Sequence, residues 1–361
     1  MDICFNEYRI IGDKMSSITI KDVAQAAKVS VGTASMVLNN NEKVKPSTRK
    51  KVLAAVEQLG YHPNKYARLL VSKRTKVIGL IITDIVNPFF GIIIDIVQEE
   101  LTRRDYDLML GITKGSITKE QHFIKKFIEM QVDGVLLVPS HKQVPNTSHL
   151  QNLANRGIPF CFITAYYTNV NAPCVMTDLS EGSYELCKYL LSTGHRKIIY
   201  IVANRDIPVS NLRVEGFLRA YNESGYSFLP NWIVISEPSF QGGYDASNEL
   251  LKDFRPDAIM AMNDIMAIGV LQALKHQKIK VPQDISVAGY DDLLYASLLE
   301  TPLTTVEQPM VPMCKKAVEL ILNKIETPDQ VNEKIFLQPR LVLRSSTINR
   351  NPTKKSREIP Q

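Results

Sequence analysis

From residue 76 onward the sequence alternates between short apolar runs and longer segments of helical periodicity, and this alternation constrains the fold more than any other feature. The run Val77-Ile78-Gly79-Leu80-Ile81-Ile82 has no polar side to offer water, so it reads as a strand buried on both faces. Asn87-Pro88 then opens a helix predicted over 89–104. Further strands are predicted near 108–110, 134–138, 160–163, 198–202, 232–235, 258–261 and 286–289, with helices near 119–130, 150–156, 181–192, 211–224, 243–254 and 264–275. Strand and helix in turn imply doubly wound parallel sheets, because a crossover helix returns the chain to the same end of the sheet. The pattern breaks near 173–177, so two lobes fit better than one sheet, and the crevice at their strand ends is the expected ligand site.

The N-terminal part obeys different rules. Thr19-Ile20-Lys21-Asp22 has the spacing of a capping box, with Val23, Ala24 and Ala27 on one face of the helix that follows. Lys28-Val29-Ser30 makes a turn, and Ser30 caps a second helix predicted to end near Asn39. Two short helices joined so closely have helix-turn-helix geometry. Pro46 and Gly60 bracket a third helix, whose Val52, Leu53, Val56 and Leu59 are expected to close a three-helix core. The segmentation that results is an extension over 1–17, a helix-turn-helix domain over 18–62, a hinge over 63–75, a body over 76–349 and a polar tail over 350–361. Within the body the first lobe is expected to take 76–175 and 306–325, and the second 176–305 and 326–349.

Charge placement narrows the function. Residues 18–76 hold twelve Lys/Arg against three Asp/Glu, a net of +9, and the whole chain carries +6, which leaves −3 for everything else. A basic excess confined to a compact helical segment is the footprint of a polyanionic partner. No run of apolar residues is long enough to span a bilayer, and the N-terminus lacks the basic-then-apolar order of a signal peptide, so a cytoplasmic location with no membrane partner is expected. Cys4, Cys161, Cys174, Cys187 and Cys314 are scattered and read as reduced thiols, and neither metal nor cofactor is expected. The nucleophile-elbow, phosphate-loop and zinc-protease motifs are missing, which disfavours an α/β enzyme. An exported sugar-binding protein would need a signal peptide and no basic head.

The residues Ile18-Thr19-Ile20-Lys21-Asp22-Val23-Ala24, Val29-Ser30, Thr33, Ser35, Val37-Leu38-Asn39, Leu59-Gly60-Tyr61 and Pro63-Asn64 closely resemble the headpiece of the lactose-repressor (LacI/GalR) family. The body continues the resemblance in register through Asn87-Pro88-Phe89-Phe90, Val132-Asp133-Gly134, Gly194-His195-Arg196, Asn263-Asp264, Asp284-Ile285-Ser286-Val287 and Gln308-Pro309, so that it covers residues 18 to 349. It implies a small all-α helix-turn-helix headpiece followed by a two-lobed, periplasmic-binding-protein-like α/β domain. The implied function is a sequence-specific transcription regulator, a repressor first of all. Its implied partners are a pseudo-palindromic operator in double-stranded DNA, a small-molecule effector of the sugar class and a second copy of the chain; a protein corepressor is left open.

Carried over position by position, the resemblance implies phosphate contacts from Thr19, Ser30, Thr33, Ser35, Asn39, Thr48, Tyr61 and Asn64. Base readout falls to Val31, Gly32 and Met36, where relatives often place polar residues; apolar contacts to thymine methyls are therefore expected, with a core position for Met36 as the lesser alternative. Gly32 within a helix costs roughly 0.8–1 kcal/mol relative to Ala. Leu70, with Ala67 beside it, matches a hinge leucine that wedges into the minor groove. For the effector, Phe89, Phe90 and Phe240 are expected as aromatic walls and Arg213, Asn263 and Asp291 as polar contacts. Asp178 reads as readily as a strand-end cap as a ligand contact. The helix 310–325 is expected to return to the first lobe, and 334–343 to the second. No leucine heptads follow Ser346, so a dimer is expected.

Overall fold

The computed structural model describes residues 18–38, 41, 43–61, 74–140 and 146–351. The chain divides into two compact units between Thr75 and Lys76. In the first unit, helices α1 (Ile20–Ala26), α2 (Val31–Leu38) and α3 (Pro46–Leu59) surround a core of Val23, Ala24, Ala27, Ala34, Val37, Val52, Ala55 and Tyr61. Leu53, expected in that core, is 50% exposed. The helical repeat explains the correction: Val52, Ala55, Val56 and Leu59 share one stripe, and Leu53 lies about 100° away from Val52.

The second unit begins with β1 (Val77–Ile82), α4 (Pro88–Thr102), β2 (Asp107–Ile112), α5 (Ile117–Glu129), β3 (Gly134–Leu137), α6 (Ser148–Asn155), β4 (Phe160–Ile163) and β5 (Cys174–Thr177). It continues with α7 (Leu179–Ser192), β6 (Ile198–Val202), α8 (Pro208–Ser224), β7 (Ile233–Ile235), α9 (Phe240–Asp253), β8 (Ala258–Ala261), α10 (Asp264–His276) and β9 (Ser286–Ala288). Last come α11 (Leu294–Leu298), β10 (Thr305–Glu307), α12 (Met310–Glu326), β11 (Lys334–Leu337) and β12 (Arg340–Val342). The strands form one six-stranded sheet in the order β11-β5-β4-β3-β1-β2 and one four-stranded sheet in the order β7-β6-β8-β9, parallel throughout. β10 and β12 pair antiparallel apart from both.

Three local expectations are corrected. The break in pattern near 173–177 is itself a strand, β5, buried at every position; it is too short for its periodicity to announce it. Segment 334–343 does not pass whole to the second lobe, because Lys334–Leu337 pairs with Cys174–Thr177 in the first-lobe sheet and only the residues after it turn back. Helices α8 and α9 begin at Pro208 and Phe240 rather than at 211 and 243. Pro208 sits where its missing N–H costs nothing, and the Ser239 side chain caps α9 by accepting from the Gly242 N–H at 3.1 Å.

The return of 310–325 to the first lobe is realised by α12, which buries Met313, Cys314, Ala317, Val318, Leu320 and Ile321 against α4 and the face of β3, β4 and β5. In the second lobe, buried His195 ties the end of α7 to β9, with Nε2 2.8 Å from Ser286 Oγ and Nδ1 2.9 Å from the Leu190 carbonyl. Burial holds its pKa below the usual histidine value. Helices α7 and α8 touch backbone to backbone at Gly216, where a Cβ would stand 1.9 Å from the Ser180 carbonyl oxygen. Gly216→Ala therefore forces the two helices apart and costs about 3 kcal/mol, at the upper end of overpacking penalties. Urea unfolding followed by the fluorescence of Trp232, the chain's one tryptophan, measures that loss; an unchanged midpoint would refute the close approach.

Candidate functional site

Two surfaces gather the residues singled out from the sequence. The first lies on the helix-turn-helix unit. Ala34 and Val37 turn inward from α2, so Val31 and Met36, 43% and 42% exposed, stand on its outer side together with exposed Gly32. Met36 is thus a surface residue and not core. At the head of α2 the Ser30 Oγ accepts from the Thr33 N–H at 3.1 Å and lies 2.8 Å from the Thr33 hydroxyl. Thr19 donates both its N–H and its hydroxyl to Asp22 Oδ2, each at 2.7 Å. Its single hydroxyl proton is therefore committed to that carboxylate, which lowers the Asp22 pKa. Ser35 and Thr48 are half-buried at the surface. Tyr61, expected on phosphate, is 8% exposed and packs its ring into the core. Asn39, Asn64, Ala67 and Leu70 lie outside the described residues.

The second surface is a cleft between the two sheets of the body, enclosing about 150 Å³. Its lining follows from topology. Thr83 and Asp84 come after β1, Ser140 after β3, Tyr166 and Tyr167 after β4, and Met262, Asn263 and Asp291 after β8 and β9. Every one of these positions lies at the carboxyl end of a parallel strand, and the crevice opens where the strand order reverses, between β1 and β3 in one sheet and between β6 and β8 in the other. Of the expected effector residues, Phe89, Phe90, Arg213, Asn263 and Asp291 all line this cleft. Phe240 does not: it is 41% exposed and stacks on Tyr244 with ring centroids 6.4 Å apart. The early start of α9 places Phe240 in the first helical turn, where its ring is drawn to Tyr244 four residues on. Asp178 accepts from the Glu181 N–H at 3.0 Å, as the cap of α7.

Charge in the cleft centres on Arg213 and Asp291. Both are about 95% buried and their charged groups stand 3.8 Å apart, while the guanidinium lies 4.5 Å from the centre of the Tyr290 ring. Gln308 Nε2 donates to Asp291 Oδ1 at 2.7 Å. Burial pushes the Asp291 carboxyl up to about 6, and Arg213 and Gln308 only partly offset that rise. Behind it, Asp264 is raised as well, first by burial and then by the charge of Asp291. Asp291 holds φ at +113°, a backbone region costly for any side chain; it persists there because the Asp291 N–H is anchored to the Val306 carbonyl at 2.8 Å.

Two buried atoms of the lining, Thr83 Oγ1 and Arg213 Nε, have no hydrogen-bond partner among the described residues. Their residues line the cavity from opposite lobes, and leaving such groups unpaired costs roughly 1–3 kcal/mol each. Asn263 accepts from the Met266 N–H at 2.8 Å, while its amide nitrogen is only 3.5 Å from the Pro238 carbonyl. Ser140 is held from behind, its N–H and hydroxyl donating to buried Glu120 at 2.8 and 2.7 Å. Thr83, Asp84, Ser140, Tyr166, Tyr167 and Gln308 were not expected from the sequence as effector contacts. The rule that ligands sit beyond strand carboxyl ends would have found all but Gln308. No group of three metal-ligating side chains occurs among the described residues, and no described helix is long and apolar enough to cross a membrane.

The raised Asp291 pKa has a defined consequence. Its folded value of about 6 exceeds the unfolded value near 3.8, so the stability it contributes is fully present below about pH 4 and is lost as pH rises through about 6. His195 acts in the opposite direction, since a lowered folded pKa costs stability as pH falls below the usual histidine range. The melting-temperature difference between Asp291→Asn and the parent chain removes the histidine contribution. It should grow in favour of the variant as pH rises through about 6, and a flat difference curve would contradict the assignment.

Comparison with known proteins places both surfaces in context. Residues 19–64 match the model of the bacterial regulatory proteins of the lacI family, and residues 187–347 match that of the periplasmic binding protein-like domain. The chain is 34% identical to the ribose operon repressor of Haemophilus influenzae, over 91% of this chain and 98% of that one. It is 33% identical to the HTH-type transcriptional repressor PurR of Aliivibrio fischeri (strain MJ11), over 92% and 99%. Among solved structures, a complex of the transcriptional regulator CelR with cellobiose superposes with a TM-score of 0.69 at 28% identity, over 91% of this chain and 99% of that one. The lac repressor dimer bound to operator superposes with a TM-score of 0.83 at 22% identity, over 92% and 99%, and there the likeness is one of fold.

Proposed function

The chain belongs to the lacI family of bacterial regulatory proteins, and from that premise we propose that it is a cytoplasmic, dimeric repressor whose hold on operator DNA is set by a small polyhydroxylated effector. The observation that carries the effector half is that two residues lining one cavity from opposite lobes, Thr83 and Arg213, each keep a buried polar atom without a partner among the described residues. A sugar hydroxyl donates and accepts at once, so one ring can satisfy an acceptor-rich wall (Asp291) and donor groups (Arg213, Asn263) together. Phe89 and Phe90, edge to face at 5.3 Å, supply the apolar surface for a ring face.

The DNA half rests on the charge confined to 18–76 and on the exposed outer side of α2. Val31, Gly32 and Met36 are the proposed base-facing positions; Ser30, Thr33, Ser35 and Thr48 are the proposed phosphate contacts. Asn39, Asn64, Ala67 and Leu70 complete the proposed set. Two heads brought together by a paired body read a palindrome, and an effector that favours one angle between the lobes changes how the pair seats, with a coupling on the order of 1–3 kcal/mol.

A thermal-shift panel of free sugars, sugar phosphates and nucleobases tests the effector. A specific compound at about 100 times its Kd stabilises the body by about 2.7 kcal/mol, and Thr83→Val abolishes the shift while raising unliganded stability by about 1 kcal/mol. Affinity for a selected duplex should fall roughly a thousandfold between about 50 and 200 mM salt. Turnover of any panel compound, or salt-independent binding, would defeat this reading.

A further inference from the structure

We infer that the effector reaches beyond the cleft into a second chamber beside it and is therefore a glycoside, with a polar sugar ring in the cleft joined to a second, less polar ring in the chamber. This deepens the effector reading given above and rests on it. The chamber holds about 220 Å³ and takes its walls from both lobes. Tyr166 and Thr168 follow β4 and Met176 lies in β5, while Asn211 and Leu212 belong to the first two turns of α8. Ala165, Tyr166, Pro208 and Val209 line the cleft as well as the chamber, so the two spaces adjoin. The cleft alone encloses about 150 Å³, short of the roughly 300–1,000 Å³ of an ordinary small-molecule site. Only with the chamber added does the space reach that range.

The two spaces differ in chemistry, and the difference orients the ligand. The unpartnered Thr83 Oγ1 and Arg213 Nε belong to residues of the cleft and not of the chamber, so the hydroxyl-rich ring goes to the cleft. In the chamber, Tyr166, Met176, Pro208, Val209 and Leu212 present mainly apolar surface, and no lysine or arginine is among the described residues that line it. Asn211 is already engaged: its amide nitrogen donates to the Arg205 carbonyl at 2.6 Å and its Oδ1 accepts from Arg205 Nε at 3.3 Å. Asp206 is the one charged residue of the described lining, and it is exposed. A phosphate would meet an acid there and no base. A ring with an apolar face instead covers the aromatic and aliphatic wall and turns its polar edge past exposed Thr168 and Asp206 to water. The Tyr166 ring is braced by Lys334, whose Nζ stands 4.3 Å from its centre.

Calorimetric titration of the full-length chain compares each common pentose and hexose with its methyl glycosides, its p-nitrophenyl glycosides and the disaccharides that contain it. Burying about 60 Å² of apolar surface in the chamber gives about tenfold in affinity. For the sugar that binds, at least one disaccharide or p-nitrophenyl glycoside should therefore exceed both the free sugar and its methyl glycoside by that factor. Leu212→Trp fills the chamber from α8 and should return that compound to the free sugar's affinity, while the free sugar itself changes by less than about twofold. Thr168→Trp acts from the mouth, at an exposed loop position, and should give the same result where Leu212→Trp fails to fold. A free sugar that binds as tightly as all its two-ring derivatives overturns the inference, as does a preference that survives either variant. A sugar phosphate that binds more tightly than every glycoside also overturns it. If no sugar or derivative binds at all, the effector reading falls and the chamber assignment with it, an outcome distinct from the others.

Discussion

The body of this protein depends on the ties that join its two separate sheets. Asp178 donates its N–H to the Leu337 carbonyl at 2.8 Å, so the outgoing and returning chain lie side by side where the lobes meet. β10 and β12 pair across the same region. The buried Asp264 carboxylate accepts the Thr305 hydroxyl at 2.6 Å and the Leu293 N–H at 2.8 Å, binding the start of α10 to the crossing strand. One apolar cluster runs from the first lobe (Phe162, Tyr167, Met176) into the second (Leu186, Ile199, Val287), so the junction is packed as well as hydrogen-bonded.

The cleft is also where the structure departs from what stability alone would select. Thr83 and Arg213 leave buried atoms unpaired, Asp291 holds an unfavourable φ, and its carboxylate is buried beside an arginine 3.8 Å away rather than in contact with it. Each feature costs free energy in the unliganded protein, and all of them converge on one cavity. Costs gathered in this way are the physical signature of a site whose interactions are completed by a ligand. The headpiece repeats the pattern on a smaller scale, exposing Val31 and Met36 and forgoing a side chain at Gly32.

Several functional residues stayed hidden in the sequence for identifiable reasons. Gln308 sits in a crossing segment, and only the fold brings it to Asp291. Thr83, Ser140 and Tyr166 are ordinary loop residues until the strand order is known. Phe240 misled in the other direction, because an aromatic near a strand end looks like a pocket wall whether or not the helix starts early enough to carry it outside. Leu53 faces outward because it lies off the stripe of Val52, Ala55, Val56 and Leu59, and the ring of Tyr61 is apolar enough to pack in the core.

The sequence by itself determined the two units and most of their helices and strands, though not β5, β10, α11, β11 or β12, because the elements it determined follow from local periodicity, caps and prolines that act within a few residues of themselves. It also carried the family resemblance and with it five residues of the cleft, Phe89, Phe90, Arg213, Asn263 and Asp291. The tertiary structure alone decided that Lys334–Leu337 joins the first-lobe sheet beside Cys174–Thr177, which cleft atoms lack partners, and which face of α2 is bare. Those are outcomes of pairing and packing between residues far apart in the chain, where competing partners of similar chemistry are separated only by geometry.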